Sequence, residues 1–329
     1  MSHSVAAVVV TYNRKRMLLE CLRALLAQTR PVQCIYVIDN ASTDGTQEVL
    51  GESGLLAHER ISYTRLDQNT GGAGGFSHGM RKAMADGHDW FWVMDDDAEP
   101  AVDALERLLA VLRPDDAQPP PLCSLKWDGH GRLLLAYLGF IDWGYRPLEC
   151  VRPIPDSALA NGPSVDIEAA TFVGLMVPRW LVERIGYPKQ EFFIHADDIE
   201  YCLRMRGITK IRLVRDSKVL HKEEIRAAYN EVALLGRSSL RIRFERYWIS
   251  YYATRNYIWL ARRYAEGRAM VFGRVGLTLA RKVAGILLHD DHKARRIRFV
   301  FSQFLDGFRG VFDNDKPKRI LYGRSDPLG

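Results

Sequence analysis

Three adjacent carboxylates, Asp95, Asp96 and Asp97, are the residues of this sequence best suited to chemistry. They follow the apolar run 90–94, which predicts a strand, and alternate residues at a strand end point to the same side. Asp95 and Asp97 are therefore able to face one cation, which would relieve the repulsion among the three charges. Carboxylate oxygens favour Mg²⁺ or Mn²⁺ shared with substrate phosphates. An exposed acidic turn is the alternative interpretation.

A second acidic pair, Asp197 and Asp198, follows the aromatic and apolar run 192–194. A carboxylate at the end of an apolar run can have its pKa raised toward the value that suits a general base. The same pair, with Glu200, is also typical of a helix N-terminus, where acidic side chains are favourable. His221 ends a later apolar run, and a lone histidine is more often structural than a metal ligand. The residues alone leave these alternatives open.

The segment 69–76 (NTGGAGGF) is rich in glycine and predicts a loop that opens a helix at about Phe76. Gly72, Gly74 and Gly75 have no side chain and would let the backbone approach a ligand closely. The N-terminus of the helix would favour an anion. The spacing does not fit the dinucleotide-binding GxGxxG motif. A plain tight turn is the alternative interpretation.

These segments must be positioned by the elements between them. Over roughly the first hundred residues, apolar runs alternate with helical patterns four times. This predicts an α/β fold with a mostly parallel central sheet flanked by helices. Ligands of such sheets bind beyond the carboxyl ends of the strands. The predicted strands are 6–10, 35–38, 61–66, 90–94 and, after a Pro-rich break at 114–121, 133–137, 169–177, 211–214 and 218–220, with a helix at 179–185.

Composition restricts the class of protein. The chain has 329 residues, of which 47% are hydrophobic and 26% charged, which is ordinary for a globular protein of one large or two smaller domains. Its five cysteines are scattered and predict a reducing compartment rather than a disulfide framework. The N-terminal apolar run is too short for a signal peptide or a spanning helix. We therefore expect a cytoplasmic protein that does not cross the membrane.

Charge is distributed unevenly along the chain. The net charge is +6 at pH 7, and basic residues are frequent toward the C-terminus. No recognisable nucleic-acid-binding motif accompanies them, so no nucleic-acid partner is expected. The segment 274–312 mixes apolar and basic residues with helical spacing, after an aromatic and arginine-rich segment 244–263. This predicts an interfacial helix pair on an anionic membrane, with a helical cap or an oligomer interface as alternatives.

In their combined order, these segments resemble glycosyltransferase family 2, whose catalytic domain has the GT-A nucleotide-sugar-binding fold. Residues 8–14 resemble the opening strand and loop of that family, and residues 37–46 its second signature. The aspartate triplet matches the metal-binding motif, and residues 193–201 resemble the segment that holds the catalytic base. The segment 69–76 is similar to the galactofuranosyltransferase branch, which uses UDP-galactofuranose. Rhamnosyltransferases, which use dTDP-rhamnose, are the alternative.

The resemblance implies an inverting transfer that uses a divalent metal cofactor, Mn²⁺ or Mg²⁺, and a carboxylate base. It also implies a nucleotide-sugar donor and a glycan acceptor, lipid-linked and part of a growing surface polysaccharide. By position, the implied residues are Asp95, Asp97 and His221 for the metal, Asp198 for the base, Asp197 and Glu200 for its support, and Thr11, Arg14, Asp39, Asp96, Gly72, Gly74, Gly75 and Phe76 for the donor.

The expected domains are a GT-A catalytic domain at 1–235 and a helical C-terminal extension at 236–329 that contacts the acceptor, a membrane or an oligomer partner. With that extension, the location expected is cytoplasmic, with peripheral contact at the inner face of the cytoplasmic membrane. A nucleotidyltransferase or an inactive sugar-nucleotide-binding module remains as a less favoured class of function, because fold alone does not give activity.

Overall fold

The computed structural model describes residues 3–113, 116–222, 229–234 and 237–323. The chain divides into two compact units. The first unit is formed by Met1–Ile141, Val151–Gln190 and Asp197–Glu223, and the second by Asp142–Cys150, Glu191–Ala196 and Glu224–Gly329. The domain boundary predicted between residues 235 and 236 lies outside the described residues.

The first half of the sheet is parallel, as the sequence predicts. Four strands lie in the order β3-β2-β1-β4, and each pairs in parallel with its neighbours. Thr11 pairs with Asp39 and Val10 with Asp95, so three strands end at one edge. The elements are β1 Val5–Thr11, α1 Lys15–Leu26, β2 Cys34–Asp39, α2 Thr46–Glu52, β3 Ile61–Arg65, α3 Gly71–Ala85 and β4 Trp90–Asp95.

The second half of the sheet is mixed. It continues from β4 in the order β10-β6-β11-β5, and β9 pairs with β11. Because β10 is antiparallel to both β4 and β6, and β11 is parallel to β6, the strands β4, β6 and β11 run the same way and end at the same edge. The elements are β5 Ala98–Pro100, α4 Ala104–Leu109, β6 Leu122–Trp127, β7 Gly139–Arg146, β8 Glu149–Pro153, β9 Ser164–Ile167, β10 Leu175–Pro178, α5 Arg179–Ile185, α6 Asp197–Arg206 and β11 Ile211–His221.

Three predictions of local structure are wrong. The predicted strand 169–177 begins too early, because β10 runs only from Leu175 to Pro178. The predicted strand 133–137 is a partly exposed turn region in which Leu133 makes only an isolated bridge to Trp127, and the strand lies earlier, at β6. The predicted glycine-rich loop is instead the start of α3, which begins at Gly71. The physical reason is close packing, since Gly75 and Gly79 lie where α3 crosses β1. An apolar run and a glycine cluster do not reveal such tertiary contacts.

We expect Gly75→Ala to destabilise the protein by about 1–3 kcal/mol, because a well-packed interior does not accept an added methyl group without strain. A Cβ at Gly75 would lie 2.5 Å from Cγ1 of the buried Val10. Gly72→Ala on the same helix is the matched control, since its Cβ would meet nothing nearer than Phe76 Cε2 at 3.9 Å. Urea unfolding of both variants measures the difference, and equal midpoints would contradict this account of the helix.

The second unit is mainly helical, which confirms the predicted helical C-terminal region. Its strands β12 Tyr229–Leu234 and β13 Arg237–Ile242 form an antiparallel pair. Arg255 is fully buried, and Asn256 Nδ2 donates to the carbonyl of His195 at 2.7 Å. The helices are α7 Ser250–Tyr264, α8 Arg268–His289, α9 Lys293–Arg309 and α10 Lys316–Tyr322.

Within the described parts of the chain, none of the helices is both long and apolar enough to span a membrane.

Candidate active site

Asp95, Asp97 and His221 meet where β4 and β11 end. One ligand atom from each of these residues lies within 4.8 Å of the others, and the described residues contain no other such group. His221 Nε2 is 3.3 Å from Asp97 Oδ1, yet that oxygen is buried without an aligned hydrogen bond. A buried carboxylate oxygen without a hydrogen bond is costly. Two carboxylates and an imidazole therefore fit a divalent cation such as Mn²⁺ or Mg²⁺.

The third aspartate faces the loop after β1. Thr11 Oγ1 donates to Asp96 Oδ2 at 2.7 Å. Arg14 Nη1 donates to Asp97 Oδ2 at 2.7 Å and to Asp96 Oδ1 at 3.3 Å. Thr11 and Arg14, predicted for the donor, are thus placed directly against the acidic cluster. Arg14 is half exposed and can reach a ligand at the edge of the sheet.

The acidic cluster carries unfavourable charge. Burial, followed by the charges of Asp97 and Asp96, raises the pKa of Asp95 to about 7. Burial also raises the pKa of Asp96 to about 6, despite its contact with Arg14. Burial opposes ionisation of Asp97 as well, but its ion pairs with His221 and Arg14 lower its pKa below the ordinary value. A cation held by Asp95 and Asp97 would relieve this repulsion.

Asp197 and Asp198 occupy the first turn of α6. Burial raises the pKa of Asp198 to about 6, against the N–H of Ile199, which donates to its Oδ1 at 2.7 Å. Burial and then the charge of Asp198 raise the pKa of Asp197, and the charge of Asp95 adds to this. The charge of Asp95 thus acts on Asp197, the neighbour of the predicted base, and the role of Asp198 as the base stays a prediction.

Glu200 is separate from this group. It is buried, and its Oε2 accepts from Arg204 Nη2 at 2.8 Å, one turn along α6. Arg204 Nη2 also donates to the carbonyl of Tyr187 at 2.9 Å. Glu200 thus forms an ion pair within the helix, and Asp197 is the carboxylate adjacent to the predicted base.

Asp39, predicted to contact the nucleotide base, ends β2 and is buried. The Tyr63 hydroxyl donates to its Oδ2 at 2.6 Å, and the Ser42 N–H donates to its Oδ1 at 2.8 Å. These bonds fix the orientation of the carboxylate, and each oxygen retains a second lone pair for a ligand.

The residues at the glycine-rich start of α3 differ in their exposure to solvent. Gly75 and Phe76 are buried, and the Phe76 ring lies 4.8 Å from that of Phe172. Gly72 is partly exposed, and Gly74 lines a cavity of about 420 Å³. The predicted contacts of all four residues with the donor stay predictions.

Sequence reasoning missed Lys126. This lysine lies near the end of β6, is only 4% exposed, and donates through Nζ to Thr171 Oγ1 at 2.8 Å. The sequence signal is a single charged residue in the otherwise uncharged strand LCSLKW. A lysine is almost never fully buried unless it is paired, so this pattern was sufficient to mark it.

Comparison with known proteins gives a family match. Residues 6–119 match the model of Glycosyl transferase family 2. Galactofuranosyltransferase GlfT1 of Mycolicibacterium smegmatis is 31% identical over 212 residues, which cover 62% of this chain and 67% of the relative. GlfT1 of Mycobacterium tuberculosis is 35% identical over 62% of this chain and 65% of its own length. The dTDP-rhamnosyl transferase RfbF of Shigella flexneri is 23% identical over 94% of this chain and 97% of its own length.

Solved structures share the fold. The structure of GalNAc-T7 with UDP, GalNAc and Mn²⁺ gives a TM-score of 0.60 at 15% identity, over 94% of this chain and 56% of that chain. Residues 1–349 of S. aureus TarS in complex with UDP give a TM-score of 0.55 at 14% identity, over 96% of this chain and 86% of that chain. These likenesses confirm the predicted GT-A fold.

Proposed function

Because this chain belongs to glycosyltransferase family 2, we propose that it transfers galactofuranose from UDP-galactofuranose to a glycan acceptor, with a divalent metal and with inversion. The observation that carries the proposal is the meeting of Asp95, Asp97 and His221 where β4 and β11 end. The GlfT1 relatives support galactofuranose as the sugar, although the chain spans only about two thirds of their length. RfbF, matched over nearly its whole length, favours dTDP-rhamnose as the second candidate donor.

In the proposed reaction, Asp198 takes the proton from the acceptor hydroxyl. The oxygen attacks the anomeric carbon from the face opposite the nucleoside diphosphate, so one carbon–oxygen bond forms while the bond to the phosphate oxygen breaks. A bound Mn²⁺ or Mg²⁺ would stabilise the charge on the departing diphosphate. Asp39 would hold the uracil, and Arg14, at the rim of the cluster, would contact the phosphates. Asp197 would hold Asp198 in place.

The value of kcat/KM should fall below a certain pH, here called the acid limit, at which Asp198 becomes protonated. A base acts only when deprotonated, and the pKa of Asp198 is about 6 because the carboxyl is buried. We therefore expect kcat/KM to be level above about pH 7 and to fall about tenfold per unit below about pH 6. A pH–rate profile at saturating Mn²⁺ measures this. If the limit moves when Mn²⁺ is raised further, proton competition at the metal ligands causes it, and the assignment to Asp198 is contradicted.

Donor identity is tested by thermal shift with Mn²⁺ and a panel that includes UDP, UDP-galactofuranose, dTDP and dTDP-rhamnose. We expect only the uridine compounds to raise the unfolding temperature, because a ligand that binds only the folded state stabilises it. Stabilisation by the thymidine compounds alone would replace galactofuranose with rhamnose. No response to any of them would contradict the donor site.

We further propose that α8 and α9 contact an anionic membrane that carries a lipid-linked acceptor. Helix α8 contains no acidic residue, and the one acid of α9, Asp306, is buried and paired with Lys316. Both helices therefore expose only basic, apolar and neutral side chains, a combination that suits an anionic interface. The exposed apolar residues of the two helices are Met270, Leu277, Leu287, Leu288, Phe301, Leu305 and Phe308. The exposed basic ones are Arg268, Arg281, Lys293, Arg295, Arg298 and Arg309.

Flotation with vesicles tests this membrane surface. We expect binding to phosphatidylglycerol vesicles that weakens with salt, and little binding to pure phosphatidylcholine. Leu287→Ser with Leu288→Ser should reduce binding at least about tenfold, because two exposed leucines lose their transfer into the interface. Arg23→Glu, an exposed site on α1, is the control for a charge change outside the surface. Unchanged flotation of the double variant, or its conversion from oligomer to monomer, would contradict membrane contact.

A further inference from the structure

Lys126 is a buried cation at the acidic edge of the sheet. Its strand, β6, runs in the same direction as β4 and β11 and ends at the same edge. Moving an ammonium group out of water costs several kcal/mol unless nearby negative charge offsets the loss. A lysine that is only 4% exposed therefore requires anions around it. Asp198 on α6 is one carboxylate whose charge interacts with Lys126.

The strand register places Lys126 beside the metal ligands. Lys126 pairs with Val219 of the parallel strand β11, and His221 lies two residues further along that strand. Residues two apart on a strand share a face, and residues in register on neighbouring strands point to the same face. The side chains of Lys126 and His221 are therefore on one face.

The hydrogen bond of Lys126 leads toward the predicted base. Lys126 Nζ donates to Thr171, whose neighbour Ala170 contacts Cys202 Sγ through both its N–H, at 3.4 Å, and its carbonyl, at 3.3 Å. Cys202 lies four residues after Asp198 on α6, on the same helix face. Burial raises the pKa of Asp198, while the N–H of Ile199 and the charge of Lys126 act in the opposite direction.

We propose that Lys126, anchored on Thr171 against the face of α6 that carries Asp198 and Cys202, is a positioning residue for the Asp198 carboxylate. The inference rests on the proposed function, because it requires Asp198 to be the base. Asp197, the neighbour of Asp198 on α6, and Asp95 at the end of β4 are the negative charges on this side of the site. The charge of Lys126 on β6 favours the ionised form of Asp198, and His221 of β11 lies on the same face of the sheet as Lys126.

The test compares pH profiles of UDP release at saturating Mn²⁺, with UDP-galactofuranose as donor and octyl β-galactofuranoside as acceptor probe. We expect Lys126→Met to move the acid limit of kcat/KM upward by about one pH unit or more, since a nearby opposite charge shifts a carboxyl by that amount. Lys126→Arg should restore the limit. The donor KM should not change in either variant.

A superimposable profile for Lys126→Met would overturn the inference, and so would a change confined to the acceptor KM, which would make Lys126 an acceptor contact. If Lys126→Met does not fold, Thr171→Val removes the anchoring hydroxyl and keeps the charge. It should move the limit in the same direction by a smaller amount, and no movement would overturn the inference. Full activity of Asp198→Asn would instead overturn the proposed function, so the two failures are distinguishable.

Discussion

Asp198→Asn should reduce kcat by about 10²–10⁴-fold, the range that proton transfer by a positioned side chain contributes. The amide has the shape of the carboxylate but cannot accept the proton of the acceptor hydroxyl. Binding of donor and Mn²⁺ should survive, because Asp198 is not one of the clustered metal ligands. Rapid-quench measurement of UDP release, with calorimetry of UDP and Mn²⁺ binding, separates the two effects.

Glu200→Gln is the matched control for this variant. It makes the same chemical change on the same helix, but Glu200 is paired with Arg204. Loss of a buried ion pair should lower stability, while the folded fraction of Glu200→Gln should keep its turnover. An active Asp198→Asn would remove the base assignment. A Glu200→Gln variant as inactive as Asp198→Asn would show that any carboxylate change on α6 disrupts the site.

Asp97→Asn should abolish both metal and donor binding. Asp97 offers the one cluster oxygen that is buried without a hydrogen bond, and it also pairs with Arg14. Substituting a residue that hydrogen-bonds to a metal ligand lowers metal affinity by about 10–100-fold. Removing the charge of a ligand itself should therefore lower the affinity for Mn²⁺ by at least about 100-fold. Calorimetry with Mn²⁺, and then UDP with Mn²⁺, measures the loss. Asp216→Asn, an exposed carboxylate on the same strand as His221, is the control and should change neither affinity.

Asp95→Asn tests the same site through the thermal stability of the protein with and without Mn²⁺. Burial and the neighbouring carboxylates disfavour the charge of Asp95 in the folded protein. Its removal should therefore raise the unfolding temperature without metal and abolish the further stabilisation by Mn²⁺. A destabilised metal-free Asp95→Asn, or one that Mn²⁺ still stabilises as much as the parent, would contradict a cation site under electrostatic strain.

The parallel half of the fold was accessible from the sequence because β1, β2 and β4 are mainly apolar runs and helical patterns lie between the strands. The polar residues after β1, β2 and β4 then had to meet at one edge, as Thr11, Asp39 and Asp95 do. The second half was less accessible, because β10 has only four residues and its antiparallel insertion between β4 and β6 is a long-range pairing. No local pattern encodes which distant strands pair.

The candidate site was predictable where the type of residue determines its chemistry. It was less predictable where packing determines the local structure. Asp95, Asp97 and His221 were grouped from the resemblance, and the structure brings them together. The helical start of α3 and the burial of Gly75 depend on contacts with Val10, which the sequence does not display. The pairing of Glu200 with Arg204 was readable as an i, i+4 pair. Lys126 was readable as a charge in an apolar strand.

The central claim is transfer of galactofuranose, and product analysis tests it most directly. The protein with Mn²⁺ is given UDP-galactofuranose or dTDP-rhamnose together with octyl β-galactofuranoside or octyl α-rhamnoside, and the products are identified by mass and NMR. We predict a galactofuranosylated glycoside whose new linkage has the anomeric configuration opposite to that of the donor, formed only from UDP-galactofuranose. A rhamnosylated product from dTDP-rhamnose without any galactofuranosylated product, or retention of the donor configuration, would contradict the account.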